Sequence, residues 1–449
     1  MPIILLVSAN ICQVPYQVFP LGMMCLHTYL KTHFPNWELH FFDFNTHSYN
    51  EFSELLQQKE FSYICISLRN CDDVNFYTKN SFVGHYVTIC NISRQQSKAK
   101  LIVGGPCVSI FPEEILELLH IDYAIVGEGE KSLTELIRYI ECGKEEYLIE
   151  GLVYKKGEQI IVNSRCDYIS ESIVRFDQKL AQYYFSRGGM LNIQTKRGCP
   201  YHCIYCSYPV IDGKQVRTLD AQSVVENIKE LYYGQKIDYL FFTDSVFNIC
   251  EEYNIDLAHR IIESKVRINW GAYFSPNNFK KENMELYKRA GLTHIEFGTD
   301  SLSDTQLVNY KKHFTFDDIK NASDICYDLG LFYAHFLILG GIGETEQTLN
   351  ETFDNSKKLQ HTVFFPFIGM RIYPKTQLYD IAVKEGLISK EEALKPVYYL
   401  SKDCNLNNLK EKAVQTKKRW VFPDEEKNPM VDRLRAKKIR GPLWEYLRY

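Results

Sequence analysis

The chain has no uninterrupted apolar run approaching eighteen residues, which excludes a helix long enough to span a bilayer. The opening MPIILLVSAN lacks a basic stretch, and its apolar run is too short for a secretory signal; it reads as a buried first strand. An excess of one charge is missing as well. Lys+Arg number 52 and Asp+Glu 56, a formal charge of -4, so there is no general electrostatic case for nucleic acid. Cysteine is plentiful at 14, yet there is no second C-x2-C pair to close a four-thiolate zinc site.

What is present is the run TKRGCPYHCIYCSYP, which packs Cys199, Cys203 and Cys206 into eight residues. The C-x3-C-x2-C spacing lets three thiolates converge on one inorganic centre and supplies no fourth protein ligand. A cubane iron–sulfur cluster with one open iron has that requirement. A structural zinc site is the bland alternative, since zinc also favours thiolates on short loops. His202, inside the loop, is poorly placed to complete a tetrahedron. The other thiols, among them Cys71, Cys107 and Cys166, are scattered, which fits reduced thiols in a cytoplasmic protein better than a disulfide framework.

With 45% hydrophobic and 24% charged residues over 449 positions, the chain reads as a globular α/β protein of two or three domains. Over 1–150, short apolar strands (IILLVSAN, ELHFFDF, YICISL, KLIVGGP, YAIVGEGE) alternate with helical stretches. That pattern predicts a doubly wound, Rossmann-like parallel sheet. Ligands of such sheets bind at the carboxyl ends of the strands. Gly104, Gly105, Gly127, Glu128 and Gly129 fall there, where glycine lets the backbone approach a flat or phosphate-bearing ligand. Residues 151–185 read as a connector with a hairpin around a KKGE turn. From 186 to 387 six more strand–helix units follow, and 388–449 form a small helical extension. After Asn408 that extension carries 12 Lys+Arg against 6 Asp+Glu, interleaved with Trp420, Trp444, Tyr446 and Tyr449. A basic aromatic tail fits peripheral contact with anionic lipid; a solvated helix packing its aromatics on the preceding domain is the commoner outcome.

The cysteine triplet, with Tyr205 just before its last member, resembles the motif of the radical S-adenosylmethionine (SAM) enzymes. That resemblance implies a [4Fe–4S] cluster on Cys199, Cys203 and Cys206, SAM on the open iron with Tyr205 near its adenine, and a partial (β/α)6 barrel. It also implies Asp244, Ser275, Glu296, Gly340 and Gly341 as SAM neighbours; for Asp300 and Thr345, helix capping is at least as good a reading. The sheet ending in VGG and VGEGE ahead of the cluster loop is similar to the cobalamin-binding subgroup. The D-x-H-x-x-G loop of many cobalamin proteins is absent, so no histidine ligates cobalt, and Arg69 in SLRNCDD becomes the neighbour of the lower face. The alternative for Arg69 is a salt bridge to Asp72 or Asp73. The stretches FGTDSLSD, YAHFLILGG and FFPFIGMRIYP look most like a group tied to lipid (ladderane-type) biosynthesis.

The function implied is methylation of an unactivated carbon: SAM is cleaved to a 5'-deoxyadenosyl radical, and methylcobalamin supplies the methyl group. The substrate would be a small or lipid-like molecule, and the electrons would come from a partner such as flavodoxin or ferredoxin. Three readings compete: cyclisation or rearrangement of a lipid-like chain, a sheet that has lost cobalamin, and a non-catalytic zinc module. No acid–base residue is singled out.

Overall fold

The computed structural model describes residues 2–13, 16–144, 148–165, 174–389, 394–424 and 429–447, with only the helical backbone of 429–432. Two seven-stranded sheets dominate it. In the first, β1 (Ile3–Ser8), β2 (Glu38–Asp43), β3 (Tyr63–Ser67), β4 (Lys100–Gly104) and β5 (Tyr123–Ile125) run parallel in the order β2-β1-β3-β4-β5. The hairpin β6 (Leu152–Lys156) and β7 (Gln159–Val162) extends it antiparallel. The strands lack polar alternation because both faces are covered. Ile4 and Leu6 of β1 join one hydrophobic core while Leu5 and Val7 join another, and β3 divides the same way.

The second sheet begins at β8 (Leu191–Ile193), which leads into the two-residue β9 (Lys196–Arg197), paired with β10 (Arg217–Thr218). It continues through β11 (Tyr239–Phe242), β12 (Asn269–Phe274), β13 (Leu292–Asp300), β14 (Phe332–Leu339) and β15 (Val363–Ile368). Beyond these lie β16 (Met370–Arg371), which pairs with β17 (Tyr398–Tyr399), and β18 (Arg419–Trp420). The parallel order is β8-β11-β12-β13-β14-β15-β18. The expected six-unit partial barrel is therefore present, and the C-terminal extension, expected to be helical, adds a short seventh strand to its edge. Trp420 drives this: it is buried and stacks on Phe364 at 4.6 Å between ring centres. The tail thus packs on the barrel, and Tyr446 remains exposed.

Alternation inside the barrel strands separates two faces. On β14, Tyr333, His335, Leu337 and Leu339 are buried, while Phe336 and Ile338 on the opposite, inner face are only half-buried. The expectation of wholly reduced thiols fails at one pair: Cys71 and Cys107 are disulfide-bonded, with Cα atoms 5.3 Å apart. The loop after β3 and the helix Pro106–Ile110 after β4 lie side by side, a proximity that scattered positions in a sequence do not reveal. Cys166 lies outside the described residues.

Candidate functional site

A cavity of about 580 Å³ opens at the carboxyl ends of the first sheet. Gly104, Gly105, Gly127, Glu128, Gly129 and Arg69 line it, as the sequence led one to expect. Gly105 has φ +99°, and a Cβ there would sit 2.8 Å from the Leu68 carbonyl oxygen; at Gly127, φ +77°, it would meet Arg165. Both positions accept only glycine, so backbone forms the floor. Glu128 lines the cavity but is also bound to arginine: Arg217 Nη1 lies 2.6 Å and Arg165 Nη2 3.0 Å from its carboxylate. Arg197 bridges from there to Glu130 at 2.8 Å. Sequence reading missed these arginines because they are dispersed over more than fifty positions. Asp72, a suggested partner of Arg69, pairs instead with Arg371 at 2.9 Å, and Asp73 accepts from Thr78 and from the Asn75 backbone. The side-chain amide nitrogen of Asn10, buried at this cavity, has no hydrogen-bond partner among the described residues.

The cysteine loop is built on a third strict glycine. Gly198 has φ +87°, and a Cβ would lie 2.0 Å from the Gln215 carbonyl oxygen. The Cys199 amide donates to Gly213 at 3.0 Å and Ile204 to Tyr310 at 3.2 Å, which anchor the loop, and Cys206 to Cys203 at 3.1 Å, which closes a turn over its last two cysteines. His202 points to solvent. Among the described residues no three His, Cys, Asp or Glu side chains crowd together as a single ion requires. The thiols are neighbours nonetheless. Burial pushes Cys203 and Cys206 up, Cys206 to about 12, with the other thiols adding to the rise and Lys312 opposing it. A bound metal would deprotonate such ligands outright.

Tyr205 donates its hydroxyl to Asp300, and Lys312 Nζ lies 2.7 Å from the same carboxylate. Burial alone would pull Lys312 down; Asp300 and then the thiols outweigh it and hold the ammonium charged. Asp300 is therefore engaged in an ion pair, while Thr345 is the capping residue, with its hydroxyl accepting from the Thr348 amide. Lys312 carried no signal in the sequence: it is one of two adjacent lysines in a turn.

The other candidates divide. Asp244, fully buried, accepts from Thr195 and from Lys196 Nζ at 2.8 Å, so its carboxylate ties β9 to the end of β11. Ser275 is held by Asn248 and faces His313 at 3.2 Å, whose ring stacks on Tyr201 of the cysteine loop. Gly340 and Gly341 follow β14. The Gly340 amide donates to Glu344 at 2.7 Å, and a Cβ on Gly341 would overlap the Tyr310 hydroxyl. Glu296 lies deeper, on the inner face of β13, and its carboxylate accepts 3.1 Å from the Trp444 indole N–H.

Three thiols on one loop, with no fourth donor among the described residues, fit an open-cornered iron–sulfur cluster. The glycine floor and the unpartnered Asn10 amide fit a flat polar macrocycle against the first sheet. The comparisons agree. Residues 193–355 match the radical SAM superfamily and residues 7–137 the B12 binding domain. An uncharacterised methyltransferase of Pyrococcus horikoshii is 28% identical over 313 residues, covering 67% of each chain. Tryptophan 2-C-methyltransferase of Streptomyces laurentii is 23% identical over 69% of this chain and 62% of its own. The chain thus spans about two thirds of the length of these curated relatives. Among solved structures, the radical SAM methyltransferase TsrM of Kitasatospora setae, with cobalamin and a [4Fe–4S] cluster bound, superposes with a TM-score of 0.89 at 22% identity. It covers 100% of this chain and 98% of its own, a likeness that establishes the fold.

Proposed function

We propose that this chain, which joins a B12-binding domain to a radical SAM domain, is a cobalamin-dependent enzyme that methylates an unactivated carbon. One observation carries the reading. Ser207 and Tyr208, which directly follow Cys206, line the same cavity as Gly104, Gly105 and Gly127 of the first sheet. The two cofactor halves therefore open onto one space, as transfer of a group between them requires.

When bound, the cluster and the corrin supply the one-electron and methyl-carrier chemistry. The protein holds and orients. Cys199, Cys203 and Cys206 would ligate the cluster, the Tyr205–Asp300–Lys312 chain fixes its loop, and Ser275, Gly340 and Gly341 would hold the nucleotide. Gly104, Gly105, Gly127 and Gly129 would admit the corrin, and Arg69, whose neighbours Asp72 and Asp73 are engaged elsewhere, would add a cation to the lining of that cavity. Asp244 acts through Lys196 on the strand end. A reducing partner of the flavodoxin or ferredoxin kind supplies electrons.

The test is anaerobic reconstitution of the full chain with iron, sulfide and cobalamin, followed by SAM and reductant. Formation of S-adenosylhomocysteine together with a substrate heavier by one methyl group supports the proposal. Turnover with no gain in mass would point to cyclisation, and a zinc-loaded protein without a corrin spectrum would end the reading. The expectation of a lipid-like substrate has one support, the aromatic inner face of the barrel, where Phe336 stacks on Phe365 and Phe367.

A further inference from the structure

The inner face of the barrel sheet carries a carboxylate, Glu296, that forms no ion pair among the described residues. On β12, β13 and β15 the inward positions include Tyr273, Gly298 and Phe367, and all three keep accessible surface although they lie on the concave side of a parallel sheet. Tyr273 is 37% and Phe367 38% exposed, so the chamber has room beside them. Phe241 closes the wall next to Tyr273, 5.0 Å away between ring centres. Into this aromatic space β13 sends Glu296. It is only 8% exposed, and among the described residues its hydrogen bond comes from the Trp444 indole N–H to Oε1. Among the described residues no lysine, arginine or histidine forms an ion pair with it. His294, two residues earlier on the same face, is buried and held neutral by desolvation.

An unpaired carboxylate in an aromatic chamber is costly unless a ligand supplies the missing charge. Burial already pushes Glu296 up to about 7, against a downward pull from Trp444. Its place along the strand matters too. Asp300, which fixes the cluster loop, is four residues on, roughly 13 Å at the rise of an extended strand. Glu296 is thus a layer below the cluster. It lies instead within electrostatic reach of Tyr273 and Tyr16, both of which also feel Arg69 at the edge of the first sheet.

We infer that Glu296 is the substrate-selecting residue of the chamber, and that the molecule it takes is an aromatic or otherwise flat amine whose cationic nitrogen pairs with the carboxylate while its rings pack on Tyr273 and the phenylalanines. The amine would gain both an ion pair and cation–π contact with Tyr273. A plain hydrocarbon chain would leave Glu296 buried and unpaired, and an anionic substrate would be repelled. This inference rests on the proposed function, which supplies the reaction whose substrate the chamber would take.

Titration calorimetry on the anaerobically reconstituted holoenzyme tests it with three probes: tryptamine, 3-indolepropionate and decanol. The wild type is expected to bind tryptamine about tenfold or more tightly than 3-indolepropionate, the scale of one charged hydrogen bond, and more tightly than decanol. Glu296→Gln should erase the preference for the cation, and Glu296→Asp should keep the preference at reduced affinity. S-adenosylhomocysteine should bind all three proteins alike, which also reports that they are folded. The inference is overturned if tryptamine fails to bind the wild type, if 3-indolepropionate or decanol binds as well, or if Glu296→Gln leaves the preference intact. Loss of S-adenosylhomocysteine affinity in Glu296→Gln would assign the carboxylate to the nucleotide and overturn it equally. A protein that takes up no corrin or cluster would fail the proposed function instead, a distinct result read from its iron content and spectrum.

Discussion

At the strand ends of the first sheet the residues are small or lack side chains, Ser8, Ser67, Gly104 and Gly105, and the floor of the cavity is backbone. At the strand ends of the barrel the same positions carry buried charge: Lys196 with Asp244 at 2.8 Å, and Asp300 with Lys312 at 2.7 Å. Both sheets have seven strands, the first mixed only at its hairpin edge and the second parallel, and in both the proposed sites lie at the carboxyl ends of the parallel strands. They differ in the shape of what they must hold. A flat macrocycle is met over a wide face and needs clearance, which glycine gives. A small cluster with a nucleotide on one corner must be fixed at a point, and rigid ion pairs in low dielectric do that.

Breaking one of these pairs should have the largest effect. Lys196→Met leaves Asp244 buried without its cation and should cost about 3–5 kcal/mol in urea unfolding, whereas an exposed pair such as Lys357–Asp354 should contribute almost nothing. Next comes the glycine floor. Gly105→Val forces a side chain into φ +99° against Leu68, a strain of about 1–3 kcal/mol, and should abolish corrin uptake while iron loading persists. Equal loss of both cofactors would contradict the division of labour between the sheets.

Protonation sharpens the contrast further. Burial pushes Glu344, beneath Gly340 in the barrel, from 4.5 up to about 7. Folding thus favours its neutral form; this stabilisation is full below pH 4.5 and lost as pH rises through 7. The melting temperature of the wild type relative to Glu344→Gln should therefore fall between pH 5 and 8. His294 and His335 act in the opposite direction. Burial holds each down at about 3, so their contribution is present above pH 6.5 and is lost as pH falls toward 3. The smallest expected effect is that of Trp444→Phe, which removes one N–H from Glu296 and should cost about 1 kcal/mol.

Much of this architecture was legible because its signals are local. The apolar runs IILLVS and YICIS became strands buried on both faces, and the three cysteines fall on the loop that follows β9. What escaped was non-local. Lys312 meets Asp300 only after the chain turns back, Glu128 gathers arginines from 165, 197 and 217, and Cys71 reaches Cys107 across two adjacent strands. Asp244 read as a ligand candidate by its position at a strand end; that it is bound by Thr195 and Lys196 could not be seen without the fold. Arg69 was ambiguous for the same reason, until Arg371, 299 residues from Asp72, was found to take its suggested partner.

The most direct measurement is cofactor analysis of Cys203→Ala after anaerobic reconstitution with iron, sulfide and cobalamin. If the cysteine loop alone holds the cluster and the first sheet alone holds the corrin, the variant will lose its iron and sulfide and the ability to cleave SAM while it keeps the corrin spectrum. A variant that retains a full cluster and consumes SAM at the wild-type rate would contradict the account.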